Sequence, residues 1–371
     1  MKQVFNPAAD VQVLYFGIRT HMRLPDVANL PKHGLTANRG RRTVAVIGDT
    51  HGCYEAFQDL LCRLNWSIKT YETDPFFVFL GDIADRGPEG GNRAMLMAVR
   101  KLLAYDNAVL VLGNHDTKLL RYARFLERAE AGEADFNKCP LTIGHGFGST
   151  LDEFHARDPR FLRTVKDVPD DIWEGRREFW AIVETFRESR NVAHFAVVTD
   201  GLSDMFLSHA GVPHERGLFG EVRKRTREIH EDVLSELTLG WVPASVVDEN
   251  GWLSSRDLSR LHYGATTGHK TAAGFPERLD WVMAADRTAD VASHSYQVHG
   301  HVACYDGAQD APLLHGQPWT HAGWRANPWR NRVLNLDTGA CFGGHLSALL
   351  LPDGRIYSEQ STHNCNTPSD E

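Results

Sequence analysis

Short apolar runs recur along the chain, each ending in a cluster of Gly, Asp, Asn or His: Val44 to Ile47, Phe76 to Leu80, Val109 to Leu112, Met205 to Leu207 and Gln297 to Val298. Runs of this length that empty into polar loops predict buried strands. Between them the spacing becomes helical. Phe57, Leu60, Leu61 and Leu64 share one face of a helix over Tyr54 to Leu64, and a second helix spans Arg93 to Leu103. Strands alternating with helices imply an α/β sheet whose sites collect at the carboxyl ends of the strands. The stretch of about 119–198 is rich in Arg, Glu, Phe and Trp without a strong strand pattern, and reads as a mostly helical insertion. Arg332 to Leu336, Leu346 to Leu351 and Arg355 to Tyr357 alternate with Gly-rich turns, which predicts a closing β-meander. Residues 1–40 hold Pro25, Pro31, Gly34 and Gly40 without sustained periodicity and read as an N-terminal extension; 41–360 then form the main domain and 361–371 a C-terminal tail.

Composition narrows the class. The chain has 371 residues, 42% hydrophobic and 10% aromatic, enough for a substantial core. Its longest apolar stretches fall far short of the roughly 20 residues that cross a bilayer, and Met1 to Phe16 lacks the apolar run of a secretion signal. The expected location is the cytoplasm, with no membrane partner. Six cysteines, Cys53, Cys62, Cys139, Cys304, Cys341 and Cys365, include no CxxC pair and read as reduced thiols. A formal net charge of -8 disfavours coating long stretches of nucleic acid, while leaving room for an enzyme that acts on one nucleic-acid end. The basic run Arg223 to Arg227 is flanked by Glu221, Glu228, Glu231 and Asp232 and reads as a solvated helix face.

The chemistry lies in five loops: Gly48-Asp49-Thr50-His51-Gly52, Gly81-Asp82-Ile83-Ala84-Asp85-Arg86-Gly87, Gly113-Asn114-His115-Asp116, Ser208-His209-Ala210-Gly211 and Gly300-His301. Each follows an apolar run and presents carboxylate, amide or imidazole donors that suit divalent first-row metals. Taken singly, such segments are turn or cap residues; five in succession point to a metal site. Asp49 and His51 fall on one side of a continuing strand, and Asp82 has two oxygens with which to bridge two ions. A pair of ions about 3.5–4 Å apart can activate a water between them and stabilise the attacking and leaving oxygens of an in-line displacement at phosphorus. His21, His33, His155, His214, His262, His294 and His315 sit in no motif and read as surface or packing residues; His145 and His299 border the motifs and stay open.

In order and spacing, these loops resemble the signature segments of the phosphoprotein-phosphatase branch of the calcineurin-like metallophosphoesterases, over roughly residues 43–358. The resemblance implies a metallophosphoesterase β-sandwich flanked by helices. It implies two divalent metal ions, with manganese foremost and Fe, Ni, Co or Zn as alternatives. Asp49, His51 and Asp82 would hold one ion, and Asp82, Asn114, His209 and His301 the other, with a hydroxide bridging the pair as nucleophile. Arg86 would grip the phosphate, His115 would protonate the leaving oxygen, Asp85 would orient His115, and Asp337 would support a metal-bound His from behind. Three strings are similar to the phosphatase domain of bacterial polynucleotide kinase-phosphatases: Gly113 to Arg121, Tyr263 to Gly268 and Leu336 to Leu346. The likeness implies hydrolysis of phosphate monoesters or 2′,3′-cyclic phosphodiesters on RNA or DNA ends or nucleotides. No kinase P-loop or ligase segment is present. A protein phosphatase acting on Ser, Thr or Tyr phosphates, a dinucleoside tetraphosphate hydrolase and a metal-binding scaffold without activity are the alternatives.

Overall fold

The structure is a computed structural model that describes residues 43–365 except 70–74, 202, 212–217, 234–236, 265, 271–275, 279–294, 302, 304–312, 315–316, 319–332 and 353. The expected N-terminal extension and the last six residues of the expected tail lie outside the described residues.

The first half of the domain is a run of β-α units: β1 (Val44–Ile47), α1 (Tyr54–Lys69), β2 (Phe76–Phe79), α2 (Gly91–Ala104), β3 (Ala108–Val111) and α3 (Asn114–Glu130). The strands pair in parallel, with Val44 opposite Phe76 and Phe77 opposite Ala108. Alternate residues face opposite ways, so the three strands have two apolar faces. Ala45, Ile47, Phe77, Phe79 and Leu110 pack under α1 and α2, and under α4 (Phe147–Glu153) and α5 (Asp170–Glu188). Each large side chain buried there contributes about 1.5–3 kcal/mol.

The opposite face, Val44, Val46, Phe76, Val78, Val109 and Val111, meets residues from the far end of the same sheet. That end comprises β4 (Val192–Thr199), β5 (Asp204–Ser208), β9 (Ser295–His299) and β12 (Val333–Asn335), which contribute Ala196, Leu207, Val298 and Leu334 to one shared core. With β6 (Thr238–Pro243), β10 (Leu313–Leu314) and β11 (Gln317–Pro318) the sheet has 12 strands among the described residues, β7 (Thr266–Lys270) and β8 (Pro276–Arg278) pairing apart from it, and it curls so that its wings face each other across an apolar layer. A third cluster packs Phe195, Val197 and Phe206 against α6 (Leu218–Val233), α7 (Ala244–Asn250) and α8 (Ser255–Tyr263). The α/β fold implied by the strand-helix alternation is present, and the sandwich is one sheet curled over itself. Among the described residues, no helix is long and apolar enough to cross a membrane.

Three expectations need correction. The stretch of 119–198 is helical only as far as Glu188, because its end, Val192–Thr199, is a central strand buried at every position. Burial on both faces removes the alternation by which a strand is recognised. The closing meander is a hairpin only, β13 (His345–Leu351) with β14 (Arg355–Gln360), and β13 pairs antiparallel with β1. β12 lies in the other wing, parallel to β9. Finally, Arg223 and Arg227 are not merely solvated: their Nε atoms clamp the buried Asp204 carboxylate at 2.5 and 2.7 Å.

Candidate metal centre

All five loops leave the carboxyl ends of their strands, and backbone hydrogen bonds draw them together. His51 N donates to Asp82 O at 2.9 Å, Gly52 N to Ile83 O at 2.9 Å and Gly300 N to His209 O at 2.8 Å. The Asp116 carboxylate, given no role by its motif, is the strongest tie. It accepts from Asp82 N (2.9 Å), Ile83 N (3.1 Å) and Gly113 N (2.8 Å), and so locks the second loop to the third. The backbone cost is visible in His51, Asp82, Asp85, Arg86 and His301, all non-glycine residues with φ between 43° and 73°. Left-handed backbone at non-glycine residues costs of order 1–3 kcal/mol each and persists only when the surroundings fix it.

The side chains converge on Asp82. One nitrogen each from His51 and His115 and one Asp82 oxygen lie within 4.8 Å of one another, and Asp82, His209 and His301 form a second such group. Asp82 belongs to both, as a bridging carboxylate would. Asn114 Oδ1 lies 3.1 Å from His209 Nε2, which also faces His301 Nδ1 at 3.0 Å. Asp49 approaches from β1, its Oδ2 accepting from His301 N at 2.9 Å. Its Oδ1 is buried with no hydrogen-bond partner, and a Cβ on Gly300 would run into that oxygen. Asp337 is buried and pressed electrostatically against Asp49, and its Oδ1 accepts from Gly339 N at 3.1 Å. Towards His209 it acts through charge, which favours the Asp337 carboxylate.

Two details suit the residues to cations. The Leu80 carbonyl lies 2.7 Å from His209 Nδ1 and the Ala84 carbonyl 3.1 Å from His51 Nδ1. Each carbonyl can only accept, so a ring proton sits on Nδ1, and Nε2 is the atom that each neutral imidazole would offer to a cation beside Asp82. The pocket also demands positive charge. Burial opposes protonation of His209, yet Asp82 and Asp49 hold its pKa up to about 10, whereas burial drives His51 down to about 3. Asp49 is raised by burial and by Asp337, and Asp337 is raised to about 6, chiefly by burial. An unpartnered buried oxygen, crowded carboxylates and inward-facing Nε2 atoms suit a site for divalent cations.

On one flank stands a hydrogen-bonded chain. His115 Nδ1 lies 2.5 Å from Asp85 Oδ2, and Thr150 Oγ1 donates to Asp85 Oδ1 at 2.5 Å. Burial lowers the pKa of His115, but Asp82 and Asp85 outweigh it, so His115 holds a proton above its ordinary range. Arg86 follows directly, its guanidinium 5.3 Å from the Phe342 ring centre and its carbonyl accepting from His363 Nε2 at 2.7 Å. Asn92 fixes the same loop, its Oδ1 accepting from Gly87 N at 3.1 Å. Thr150, Asn92 and His363 carried no motif signal; their roles arise from packing across the fold.

A model of the family described as calcineurin-like phosphoesterases matches residues 42–305. A bis(5′-nucleosyl)-tetraphosphatase PrpE (asymmetrical) from Anoxybacillus flavithermus is 26% identical over 321 residues, spanning 85% of this chain and 94% of the relative. The protein of the same name from Oceanobacillus iheyensis is 24% identical over 86% of this chain and 92% of its own. A crystal structure of a protein provisionally named as a diadenosine tetraphosphatase aligns over 88% of this chain and 95% of its own, with 18% identity and a TM-score of 0.37.

Proposed function

This chain belongs to the calcineurin-like phosphoesterases and is a metal-dependent phosphoric ester hydrolase; from that premise we propose that it cleaves dinucleoside tetraphosphates asymmetrically, to a nucleoside triphosphate and a nucleoside monophosphate. The observation that carries this reading is the end-to-end match, over 94% of its length, to a relative named for that activity. Of the substrate classes the sequence left open, it favours the dinucleotide over nucleic-acid ends and phosphoproteins.

Asp49, His51 and Asp82 would hold one divalent cation and Asp82, Asn114, His209 and His301 the other, with manganese the proposed ion. When bound, the cations neutralise phosphoryl charge and make water a stronger nucleophile. The protein's own groups do the rest. Arg86, steadied by Phe342 and His363, offers a planar donor pair to the non-bridging oxygens of the attacked phosphate. Water adds at phosphorus and gives up a proton to solvent, the phosphoanhydride P–O bond breaks, the departing oxygen takes the proton held on His115 Nε2, and His115 regains a proton from solvent before the next turnover. Asp85, held by Thr150, fixes the opposite edge of the imidazole so that Nε2 faces the site. The sum is dinucleoside tetraphosphate plus water to nucleoside triphosphate plus monophosphate.

The test is side-by-side kinetics of the manganese-loaded protein on diadenosine tetraphosphate, a 3′-phosphorylated oligonucleotide and a phosphopeptide, with products separated by chromatography. ATP and AMP in equal amounts, with the highest kcat/KM, are expected. A kcat/KM greater by orders of magnitude on either other substrate, or ADP as the product, overturns the reading.

A further inference from the structure

Lys118 and His145 have no part in the chemistry above, yet both stand beside it. Lys118 lies four residues after Asn114 on α3, one turn further along the same face, which directs it to the side of the helix that carries a proposed ligand. It is half-buried. Its Nζ donates to Gly144 O at 3.1 Å and sits 4.7 Å from the Phe147 ring centre. Burial lowers its pKa, Asp85 opposes that, and Arg121 and Arg86 add to it. Lys118 is therefore close enough to feel both the acid-holding carboxylate and the phosphate-gripping arginine.

The turn that accepts from Lys118 forms the other wall. The Gly146 backbone packs so closely on Arg86 that a Cβ there would run into Arg86 N. His145, between the two glycines, is exposed and held at φ 62°. Besides burial, Arg86, Lys118 and His115 lower its pKa, so it presents a neutral imidazole to the same space. Two cations and an imidazole are thus gathered on the His115 flank, on the side where the leaving group departs. Assembling like charges costs free energy that a bound polyanion returns. A single phosphoryl group is already served by the cations and Arg86, and a tetraphosphate brings three more.

We infer that Lys118 and His145 form a second phosphate subsite next to Arg86, which grips phosphates of the chain that are not being attacked. The inference rests on the tetraphosphate reading for its natural ligand, though the subsite can be measured without it. A lysine ammonium offers three donors on a flexible stem, so one can stay on Gly144 O while the others meet phosphate oxygens.

The full-length, metal-loaded enzyme and its Lys118→Gln and His145→Gln variants should be compared on diadenosine tetraphosphate and on p-nitrophenyl phosphate. Inhibition by inorganic tripolyphosphate should be measured with free metal held constant and in excess, and calorimetry gives its Kd directly. For Lys118→Gln, the ratio of kcat/KM on the tetraphosphate to that on the monoester should fall about tenfold, chiefly through KM, and the tripolyphosphate Kd should rise about as much. His145→Gln should move both in the same direction by about threefold. A tripolyphosphate Kd unchanged in both variants overturns the subsite, as does an equal loss on both substrates, which marks Lys118 as a brace for the 144–146 turn. If the wild type leaves the tetraphosphate intact while Lys118→Gln still weakens tripolyphosphate binding, the subsite stands and the substrate reading falls.

Discussion

Asp85 accepts from His115 with one oxygen and from Thr150 with the other, both at 2.5 Å. A carboxylate held from both sides cannot swing, so the imidazole it carries has one orientation. His115→Ala should lower kcat on the tetraphosphate by about 10²–10⁴. Asp85→Asn, which loses the charge but keeps the shape, should cost about tenfold to a hundredfold. Thr150→Val should cost about threefold to tenfold, because the carboxylate keeps its histidine but loses its stop. Steady-state kinetics at saturating metal would check the order; a Thr150→Val loss equal to that of His115→Ala would contradict it.

Removing metal should do more than stop turnover. Asp49, Asp82 and Asp337 lie buried in one pocket, and ligands that bind only the folded state stabilise it in proportion to ligand concentration over Kd. Dialysis against EDTA should abolish hydrolysis and lower Tm, and manganese should restore both. Asp82→Asn, which weakens both groups of ligand atoms at once, should show neither the activity nor the metal-dependent rise in Tm.

Gly300→Ala is a small change in a tight place. Its backbone lies outside the left-handed region, so the added Cβ acts through its collision with Asp49 Oδ1 alone. Displacing that carboxylate should weaken metal affinity by about 10- to 100-fold. Elemental analysis after gel filtration in metal-free buffer would read this as fewer than two ions per chain while wild-type occupancy is retained. Unchanged metal content would mean that Asp49 holds no cation.

Asp116→Ala should act chiefly on stability. It leaves three buried amide donors, those of Asp82, Ile83 and Gly113, without their acceptor, for a cost of about 2–4 kcal/mol. Urea denaturation of the metal-loaded protein would give the loss as a lower midpoint at constant m. A change below 0.5 kcal/mol, the size typical of surface substitutions, would show that water replaces the carboxylate.

The candidate donors were legible because chemistry narrows their type: Asp, Asn and His suit a divalent first-row ion whatever the fold, and strand ends bring such loops together. The residues that hold the donors were not. Asn92 stands just before the helix expected from Arg93, and only the turn between them brings its amide back onto Gly87. Asp116 was visible as a motif letter, but its three amide partners come from two loops that only the parallel pairing of β2 with β3 juxtaposes. The strand Val192–Thr199 was hidden by its own burial, and the place of β12 by the fact that hydropathy reports a strand without its neighbour. Left-handed backbone at His51, Asp82 and His301 leaves only a faint trace in residue type, because Asp and His adopt it more readily than most residues yet are common elsewhere.

The hairpin of β13 and β14 has a consequence for the birth of the enzyme. β13 zips onto β1, the first strand described, and His363 reaches back across 277 positions to the carbonyl of Arg86. Chains emerge from the ribosome amino end first, so β1 waits through almost the whole of synthesis with one flank bare. The nascent polypeptide can thus carry every proposed metal ligand and still lack the clasp that steadies Arg86, so the proposed hydrolysis belongs to the finished molecule.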